Sequence, residues 1–142
     1  MKVALCHLEL SNGPEQKNIE LLEKAVRIAA EKGANWVITP ETAVQGYYFY
    51  KLEPETKVDK QPSSKLSFLL SLVKDYGLFL FLGCGEYDSE LNCNFNSCIV
   101  FEPSGEICGR HRKIISHGIG AESWARTADV LKPIDCLNIK VG

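Results

Sequence analysis

The sequence predicts an α/β domain in which the first strands of the sheet run parallel. Three observations support this prediction: a mostly apolar, strand-like segment at Lys2–Leu10, a helical pattern at Pro14–Lys32, and a second apolar strand at Ala34–Thr39. A strand, a helix of about five turns and another strand form a βαβ unit, whose crossover is right-handed. With 142 residues and 45% hydrophobic content, the chain is long enough for one domain with a substantial core.

The first helix is indicated by its boundaries and by an apolar stripe. Ser11 or Asn12 can cap its N-terminus, and Pro14 suits its first turn. Gly33 is the expected residue just past its C-terminus. Apolar residues recur at three- and four-residue spacings: Ile19, Leu22, Val26, Ala29 and Ala30. One face of this helix is therefore expected to pack against the sheet.

A second helix and a buried strand follow a polar surface loop. Ser63 or Ser64 is expected to cap the helix, which ends near Gly77. Leu78–Leu82 is a continuous apolar run followed by Gly83-Cys84-Gly85-Glu86. This pattern predicts a third strand, buried on both faces, which another backbone segment approaches closely at its glycines.

The last third of the chain predicts a hairpin and one further strand. Asn94–Phe101 and Ile107–Lys113 are strand-like and are joined by the turn sequence Pro103-Ser104-Gly105-Glu106. Leu137–Val141 begins another apolar strand, directly before Gly142. An apolar strand at this point predicts that the sequence is part of a longer domain.

Composition and charge exclude several classes of function. The 16 Lys and Arg against 18 Asp and Glu give a net charge of −2, so neither nucleic acid nor an acidic membrane surface is expected as a partner. The N-terminal sequence does not resemble a signal peptide, which predicts a cytoplasmic protein. The six cysteines contain no C-x-x-C pair and the three histidines are scattered, so no disulfide framework and no metal site are predicted.

Glu41 is the residue whose position most strongly indicates a function. It follows the predicted strand through Pro40, so it lies at the carboxyl end of a sheet strand, where ligands of open α/β sheets bind. A partly desolvated carboxylate there can act as a general base. The alternative is a loop carboxylate that accepts backbone N–H bonds. The aromatic run Gly46–Tyr50 that follows is either the wall of an apolar pocket or part of the core.

Two further segments carry polar groups with two possible roles. Arg110-His111-Arg112-Lys113 ends the predicted hairpin, and its cations are either a solvated face or include one that stabilises developing negative charge. Ser116–Trp124 is a Gly-containing loop that could close over a pocket, and Glu122 is its notable carboxylate.

Two motifs taken together resemble the nitrilase superfamily of carbon-nitrogen hydrolases. The first is a strand that ends in Pro40-Glu41, with Gly46-Tyr47 after it. The second combines Asn96-Ser97, the turn at 103–106 and Arg112-Lys113. Each motif alone would occur by chance, whereas both at this separation, on the expected strand ends, are specific. The resemblance covers the whole chain.

The resemblance implies a fold and a set of catalytic residues. Members of the superfamily have an α-β-β-α sandwich and act through a cysteine nucleophile, a glutamate base, a lysine and a second glutamate. By its place in the motifs, Glu41 matches the base, Lys113 the lysine that stabilises the tetrahedral oxyanion, and Glu122 the second glutamate. The resemblance implies no cofactor.

The sequence departs from the superfamily at the nucleophile. The family cysteine follows a strand resembling Leu137–Gly142 by a few residues, whereas Cys136 precedes that strand and is interpreted as a structural thiol. Residues 1–142 are therefore expected to be the N-terminal part, roughly half, of a single carbon-nitrogen hydrolase domain. The sheet faces left open are expected to be covered in a homo-oligomer or by a partner chain.

The expected function is hydrolysis of a small amide, carbamoyl or nitrile substrate by a cysteine thiolate that lies beyond residue 142. Amides are favoured over nitriles as a general expectation for the superfamily. The substrate is expected to lie against Tyr47, Tyr48 and Trp124. The alternative is a catalytically inactive, nitrilase-like binding or interaction module.

Overall fold

A five-stranded mixed sheet forms the centre of the computed structural model, which describes residues 1–116 and 119–142. The strands lie side by side in chain order. The first three strands pair in parallel and the last two are antiparallel. Their bounds are Val3–Leu5 (β1), Trp36–Ile38 (β2), Phe79–Asp88 (β3), Cys93–Phe101 (β4) and Ile107–Arg112 (β5).

Two helices connect the parallel strands and pack against each other. Helix α1 (Glu15–Glu31) joins β1 to β2, while a one-turn helix α2 (Phe49–Leu52) and helix α3 (Ser67–Tyr76) lie between β2 and β3. A 3₁₀ turn at Ser64–Leu66 precedes α3. The α/β class and the predicted crossovers are thus confirmed.

The predicted cap of α1 is wrong, whereas Ser63 occupies the predicted cap position of the 3₁₀ turn that leads into α3. Pro14 is the cap residue of α1, and neither α1 nor the 3₁₀ turn before α3 has a side-chain cap. Ser11 and Asn12 serve other partners: the Ser11 hydroxyl donates to the Gly13 carbonyl, and Asn12 Oδ1 accepts from the Tyr48 backbone N–H. Asn12 therefore holds the loop after β2, while the Ser11 hydroxyl bonds within its own turn.

Two strands, β1 at the edge of the sheet and β3 at its centre, differ in length from the prediction. β1 has 3 residues, because its only neighbour β2 is equally short and the ladder ends with the Cys6 N–H bonded to the Ile38 carbonyl. β3 has 10 residues and continues through the glycines, because β4 pairs with it along its whole length. Because β3 is long, the sheet extends to the polar end of the strand, which includes Glu86 and Asp88.

A small hairpin covers part of the face opposite the helices. Its strands are Ile134–Cys136 (β6) and Ile139–Val141 (β7), joined by Leu137 and Asn138 with φ of 48° and 68°. Positive φ at both central residues is the geometry of a two-residue hairpin turn. The predicted strand is confirmed as β7, although it begins at Ile139 because Leu137 and Asn138 form the turn, and β6 was not predicted.

The two faces of the sheet have separate apolar cores. On one face, α1 and α3 pack against β3 and β4 residues that include Leu80, Leu82, Cys84 and Ile99. On the other, the β6–β7 hairpin packs against Trp36, Phe79, Phe81 and Val100. Because side chains alternate along a strand, successive residues of β3 and β4 serve opposite cores.

No helix in the described part of the chain is long and apolar enough to cross a membrane.

Candidate active site

Glu41 stands at the carboxyl end of β2, in a segment that runs on beside β3. The Thr39 N–H donates to the Phe81 carbonyl at 3.0 Å, and the Ala43 N–H donates to the Gly83 carbonyl at 2.7 Å. A Cβ atom at Gly83 would lie 2.2 Å from the Pro40 carbonyl oxygen. The predicted close backbone approach to the β3 glycines is confirmed at this position.

The backbone after Glu41 is held in an unusual conformation. Thr42 has a φ of 48°, which is rare for a β-branched residue, and it is almost fully buried. Its hydroxyl donates to the Glu41 carbonyl at 2.8 Å. Residues in such conformations cluster at active sites, where the surrounding structure holds them in place.

Lys113 and Asn96 reach the same point from β5 and β4. The Lys113 N–H donates to the Asn96 carbonyl at 2.8 Å, which extends the antiparallel ladder by one bond beyond Arg112. The Asn96 side chain then donates from Nδ2 to Glu41 Oε1 at 2.6 Å. Glu41 therefore accepts bonds from side chains here, unlike the loop carboxylate of the alternative interpretation.

One ammonium group lies between two carboxylates. Lys113 Nζ is 2.7 Å from Glu41 Oε1 and 2.5 Å from Glu122 Oε1. We refer to Glu41, Lys113 and Glu122 as the groove cluster. Partial burial lowers the pKa of Lys113, but hydrogen bonds to Glu122 and Glu41 outweigh that effect, so its pKa lies above the usual value. The lysine is thus held as a cation.

Glu122 is the more enclosed of the two carboxylates. Its side chain is 4% exposed, compared with 42% for Glu41. Ser116 Oγ donates to Glu122 Oε2 at 2.9 Å, and the Tyr47 hydroxyl is 3.4 Å from Oε1. Burial raises the pKa of Tyr47, and the negative charges of Glu122 and Glu41 raise it further. Tyr47 is therefore a neutral donor to this cluster.

An open groove of about 310 Å³ gives access to the groove cluster. Its walls include Thr39, Pro40, Glu41, Gly83, Asn96, Cys98, His111 and Lys113. It lies on the sheet face opposite the helices, since Asn96 alternates with Ser97 and Ile99, which face the helices. A small, partly apolar groove with convergent polar groups is the usual form of a small-molecule site.

The predicted substrate residues lie in three different environments. Tyr47 contacts Glu122, as described above. The Tyr48 ring is half exposed, packs edge-on against Tyr47 at 5.1 Å between centroids, and lies beneath the Lys51 ammonium. Trp124 is buried against Phe49, with ring centroids 5.0 Å apart, and its ring would meet a Cβ at Gly85. The aromatic run is thus divided between the groove cluster, the surface and the core.

A second group of charges lies on the helix side of the same strands. Glu86 Oε1 accepts from Arg110, while Glu86 Oε2 accepts from Arg112 at 3.0 Å and from the Ser97 hydroxyl at 2.8 Å. Arg112 also pairs with Asp88 at 2.8 Å. We refer to Glu86, Arg110 and Arg112 as the helix-side cluster. The cationic run that the sequence showed as one feature is therefore divided between the two faces.

Three cysteines of the face opposite the helices, Cys98, Cys108 and Cys136, have surroundings that do not favour a thiolate. Cys136 is fully buried beside Cys108, and burial raises the pKa of both thiols. Burial also raises the pKa of Cys98 to about 11. A thiol nucleophile needs the opposite shift. Among residues 1–116 and 119–142, no group of three or more His, Cys, Asp or Glu side chains could hold a metal ion.

Sequence reasoning did not assign roles to Asn96 and His111 in this site. Asn96 was part of a motif, but its contact with Glu41 depends on how β4 is placed against β3. His111 stood within the cationic run without a role of its own, and it lines the groove from β5. Of the loop predicted to close over a pocket, residues 117 and 118 lie outside the described residues.

Comparison with known proteins identifies the family. The model of the carbon-nitrogen hydrolase family matches residues 2–141. The chain belongs to the carbon-nitrogen hydrolase family. A nitrilase of Pyrococcus abyssi is 31% identical over 116 residues, which make up 80% of this chain and 43% of that protein. This carbon-nitrogen hydrolase chain therefore spans less than half the length of that relative.

Solved structures show the same fold over about half of their length. Nit3 of Saccharomyces cerevisiae, a member of the nitrilase superfamily, aligns with a TM-score of 0.83 at 22% identity, over 99% of this chain and 53% of that chain. A double mutant of the amidase from Nesterenkonia sp. AN1, in complex with acrylamide, aligns with a TM-score of 0.79 at 20% identity, over 94% of this chain and 50% of that chain. The nitrilase-like fold predicted from the motifs is confirmed.

Proposed function

We propose that this chain supplies the general base, the oxyanion-stabilising lysine and the second glutamate of an enzyme that hydrolyses small amides. The observation that supports this most is the Lys113 ammonium held between Glu41 and Glu122 at the edge of an open groove. A cation, a carboxylate and a cavity at strand ends are what acyl transfer to a thiol requires.

In the proposed acylation step, Glu41 takes the proton of a cysteine thiol that lies beyond residue 142. The thiolate attacks the amide carbon, and the carbonyl electron pair moves to oxygen. Lys113 stabilises that oxyanion, since an ammonium has three N–H donors and Glu41 and Glu122 engage two of them. The oxyanion then re-forms the carbonyl, the C–N bond breaks, and Glu41 returns the proton to the leaving nitrogen, which gives a thioester and ammonia or an amine.

In deacylation, the same steps are repeated with water as the nucleophile. Glu41 accepts a proton from the water as its oxygen attacks the thioester carbon, and Lys113 again stabilises the oxyanion. The C–S bond breaks, the thiolate recovers the proton from Glu41, and a carboxylic acid is released. Glu122 fixes Lys113 throughout, because its enclosed carboxylate binds the ammonium at 2.5 Å.

Amides are the proposed substrates because an amidase of the same fold is known in complex with acrylamide. A nitrile remains the second candidate, since the Pyrococcus abyssi relative is a nitrilase. The groove of about 310 Å³ suits a small acyl group. Tyr47 is proposed to border that group, with Tyr48 beside it and Trp124 supporting the segment from the core.

We also propose that the protein is a homo-oligomer. Apolar side chains are exposed at the β1 edge and on the β6–β7 hairpin, among them Val3, Leu5, Leu137 and Ile139. Exposed apolar surface next to an unpaired strand edge favours association. Light scattering of the purified protein would give the mass of the assembly, and a monomer at micromolar concentration would contradict this proposal.

The function is tested by assay of the natural gene product. Its intact mass shows whether a cysteine-containing segment follows residue 142, and ammonia release is measured with a panel of small amides and nitriles. We expect amide hydrolysis that Glu41→Gln reduces about 10²- to 10⁴-fold, the usual contribution of a general base.

The matched control is Glu31→Gln, at the exposed end of α1, which should leave the rate unchanged. If the natural product contains the cysteine segment and still releases no ammonia, the hydrolase proposal is wrong. Full activity of Glu41→Gln would instead remove the general-base assignment alone.

A further inference from the structure

The hydrogen bonds of Glu41 are distributed unequally between its two oxygens. Oε1 accepts from Asn96 Nδ2 at 2.6 Å and from Lys113 Nζ at 2.7 Å. Within the part of the chain that the structure describes, the side-chain hydrogen bonds to this carboxylate end on Oε1. The side chain is 42% exposed, and Glu41 lines the groove.

Asn96 is well placed to enforce this asymmetry. It is buried in the middle of the sheet, opposite Gly85 of β3, and its backbone carbonyl accepts the Lys113 N–H at 2.8 Å. One residue therefore contacts both the base, through its side chain, and the lysine, through its backbone. Only the amide nitrogen of Asn96 can face a carboxylate oxygen, because its carbonyl oxygen would repel it.

We propose that Asn96 is a positioning residue which, with Lys113, commits Glu41 Oε1 to hydrogen bonding and leaves Oε2 as the oxygen that accepts the thiol proton. This inference rests on the proposed hydrolase function. A lysine alone is a compact charge that attracts either oxygen of a carboxylate. The amide adds direction, because a short N–H bond from a buried side chain fixes the plane of the carboxylate.

Glu41→Gln has a distinct outcome under this arrangement. The glutamine carbonyl would take the place of Oε1 facing the two donors, and its NH₂ group would take the place of Oε2. The substituted side chain would keep its partners and yet present a donor where a proton acceptor is needed. Catalysis would be lost with little loss of local structure.

The first test is spectroscopic and does not depend on activity. In the ¹⁵N-labelled natural gene product, the side-chain amide resonances of Asn96 are assigned by their loss in Asn96→Ala. We expect one amide proton far downfield, as for a donor to a carboxylate, and an upfield shift of that proton in Glu41→Gln, where the acceptor is neutral. An Asn96 amide proton that Glu41→Gln leaves in place would overturn the proposal.

The second test uses steady-state kinetics of the natural gene product. Asn96→Asp keeps the shape of the side chain but replaces its donor by an acceptor, and should lower kcat about 10- to 100-fold with KM nearly unchanged, because the base is misdirected. Asn96→Ala should lower kcat less. The control is Ser104→Ala, which removes a hydroxyl in the exposed turn between β4 and β5 and should keep the wild-type kcat.

The two proposals fail in different ways. If wild-type protein releases no ammonia, the hydrolase function is wrong, while the amide spectrum still decides whether Asn96 holds Glu41. If the wild type is active and Asn96→Asp keeps its kcat, Asn96 does not position the base and the hydrolase function stands.

Discussion

Two carboxylate–cation clusters lie back to back across the same strands. Glu41 in the groove cluster and Glu86 in the helix-side cluster each pair with cations from the end of β5. Neighbouring residues serve the two sides: Asn96 and Lys113 contact Glu41, whereas Ser97 and Arg112 contact Glu86. Because successive side chains of a strand point to opposite faces, the adjacent residues Asn96-Ser97 and Arg112-Lys113 contribute to both clusters.

The clusters differ in burial and in how many acceptor sites are filled. The Glu86 side chain is 2% exposed and both of its oxygens accept charged donors, while the described bonds to Glu41 all reach one oxygen. A buried carboxylate whose two oxygens are both bound by cations is closed to a substrate. A carboxylate with a free oxygen in an open groove can take a proton. Charge pairs therefore mark a candidate site only when acceptor capacity remains.

Lys113→Ala is expected to show the largest effect. It should lower kcat/KM of the active protein by about 10²- to 10³-fold or more, because stabilisation of the oxyanion is lost, while the circular dichroism spectrum stays unchanged. The matched control is Arg110→Ala, which removes a cation of β5 on the helix side of the sheet and should keep the wild-type rate. A near wild-type rate for Lys113→Ala would class it with the structural cations.

Glu86→Ala tests the other side of the comparison. Removing the buried partner of two arginines should lower the free energy of unfolding by about 3 kcal/mol, the lower end for breaking a buried ion pair, because both arginines are partly exposed. Urea denaturation measures this loss, and the rate per folded molecule should change little. A strong loss of rate without a loss of stability would show that the clusters are not separate.

Gly83→Ala is expected to affect both stability and rate. A Cβ there would lie 2.2 Å from the Pro40 carbonyl, and a backbone atom cannot move aside cheaply. We expect a loss of about 1–3 kcal/mol from overpacking, together with a lower kcat because the Glu41 segment is displaced.

The matched control for this substitution is Gly85→Ala. Its Cβ would meet side-chain atoms of Val58 and Trp124 at 3.1 Å and 3.3 Å, which can adjust. Thermal denaturation and ammonia release of the two variants, compared side by side, separate the contact with Pro40 from a general intolerance of β3 to side chains. Equal effects of both substitutions would contradict the role given to Pro40.

The smallest expected effect concerns pH. The folded-state pKa of Lys113 lies above its unfolded value, so its ion pairs stabilise the fold below the unfolded pKa, and this contribution is lost as pH rises through the folded pKa. The stability difference between wild type and Lys113→Met should stay constant from neutral pH to about pH 10 and shrink above it. Urea denaturation across this range checks it, and a difference that shrinks between pH 7 and 9 would contradict it.

The sequence predicted the elements with strong local signals. The apolar stripe of α1 and the continuous run of β3 need no partner to be recognised, and Pro40-Glu41 at a strand end indicated the site. The predicted cap of α1 was wrong because Asn12 binds Tyr48 and Ser11 binds Gly13. Such choices depend on tertiary contacts.

The contents of the site were only partly predictable. Lys113 and Glu122 came from resemblance to a family, and nothing local separates Lys113 from Arg110 and Arg112. Alternation along β5 divides the three cations between two faces, and the strand register then assigns each to its carboxylate. The contact of Asn96 with Glu41 also depends on the strand register. A local sequence pattern does not contain the pairing between distant strands.

Strand alternation also affects how this chain can change by descent. A point mutation at Asn96 or Lys113 alters one face and leaves Ser97 and Arg112 to hold the other. A lineage could therefore lose its reaction and keep a stable fold that still matches the family. A one-residue insertion within β4 or β5 would exchange the faces of every residue beyond it and remove both clusters at once. Insertions are accordingly expected in the connecting loops. Point substitutions in the groove are expected to remove activity without changing the fold.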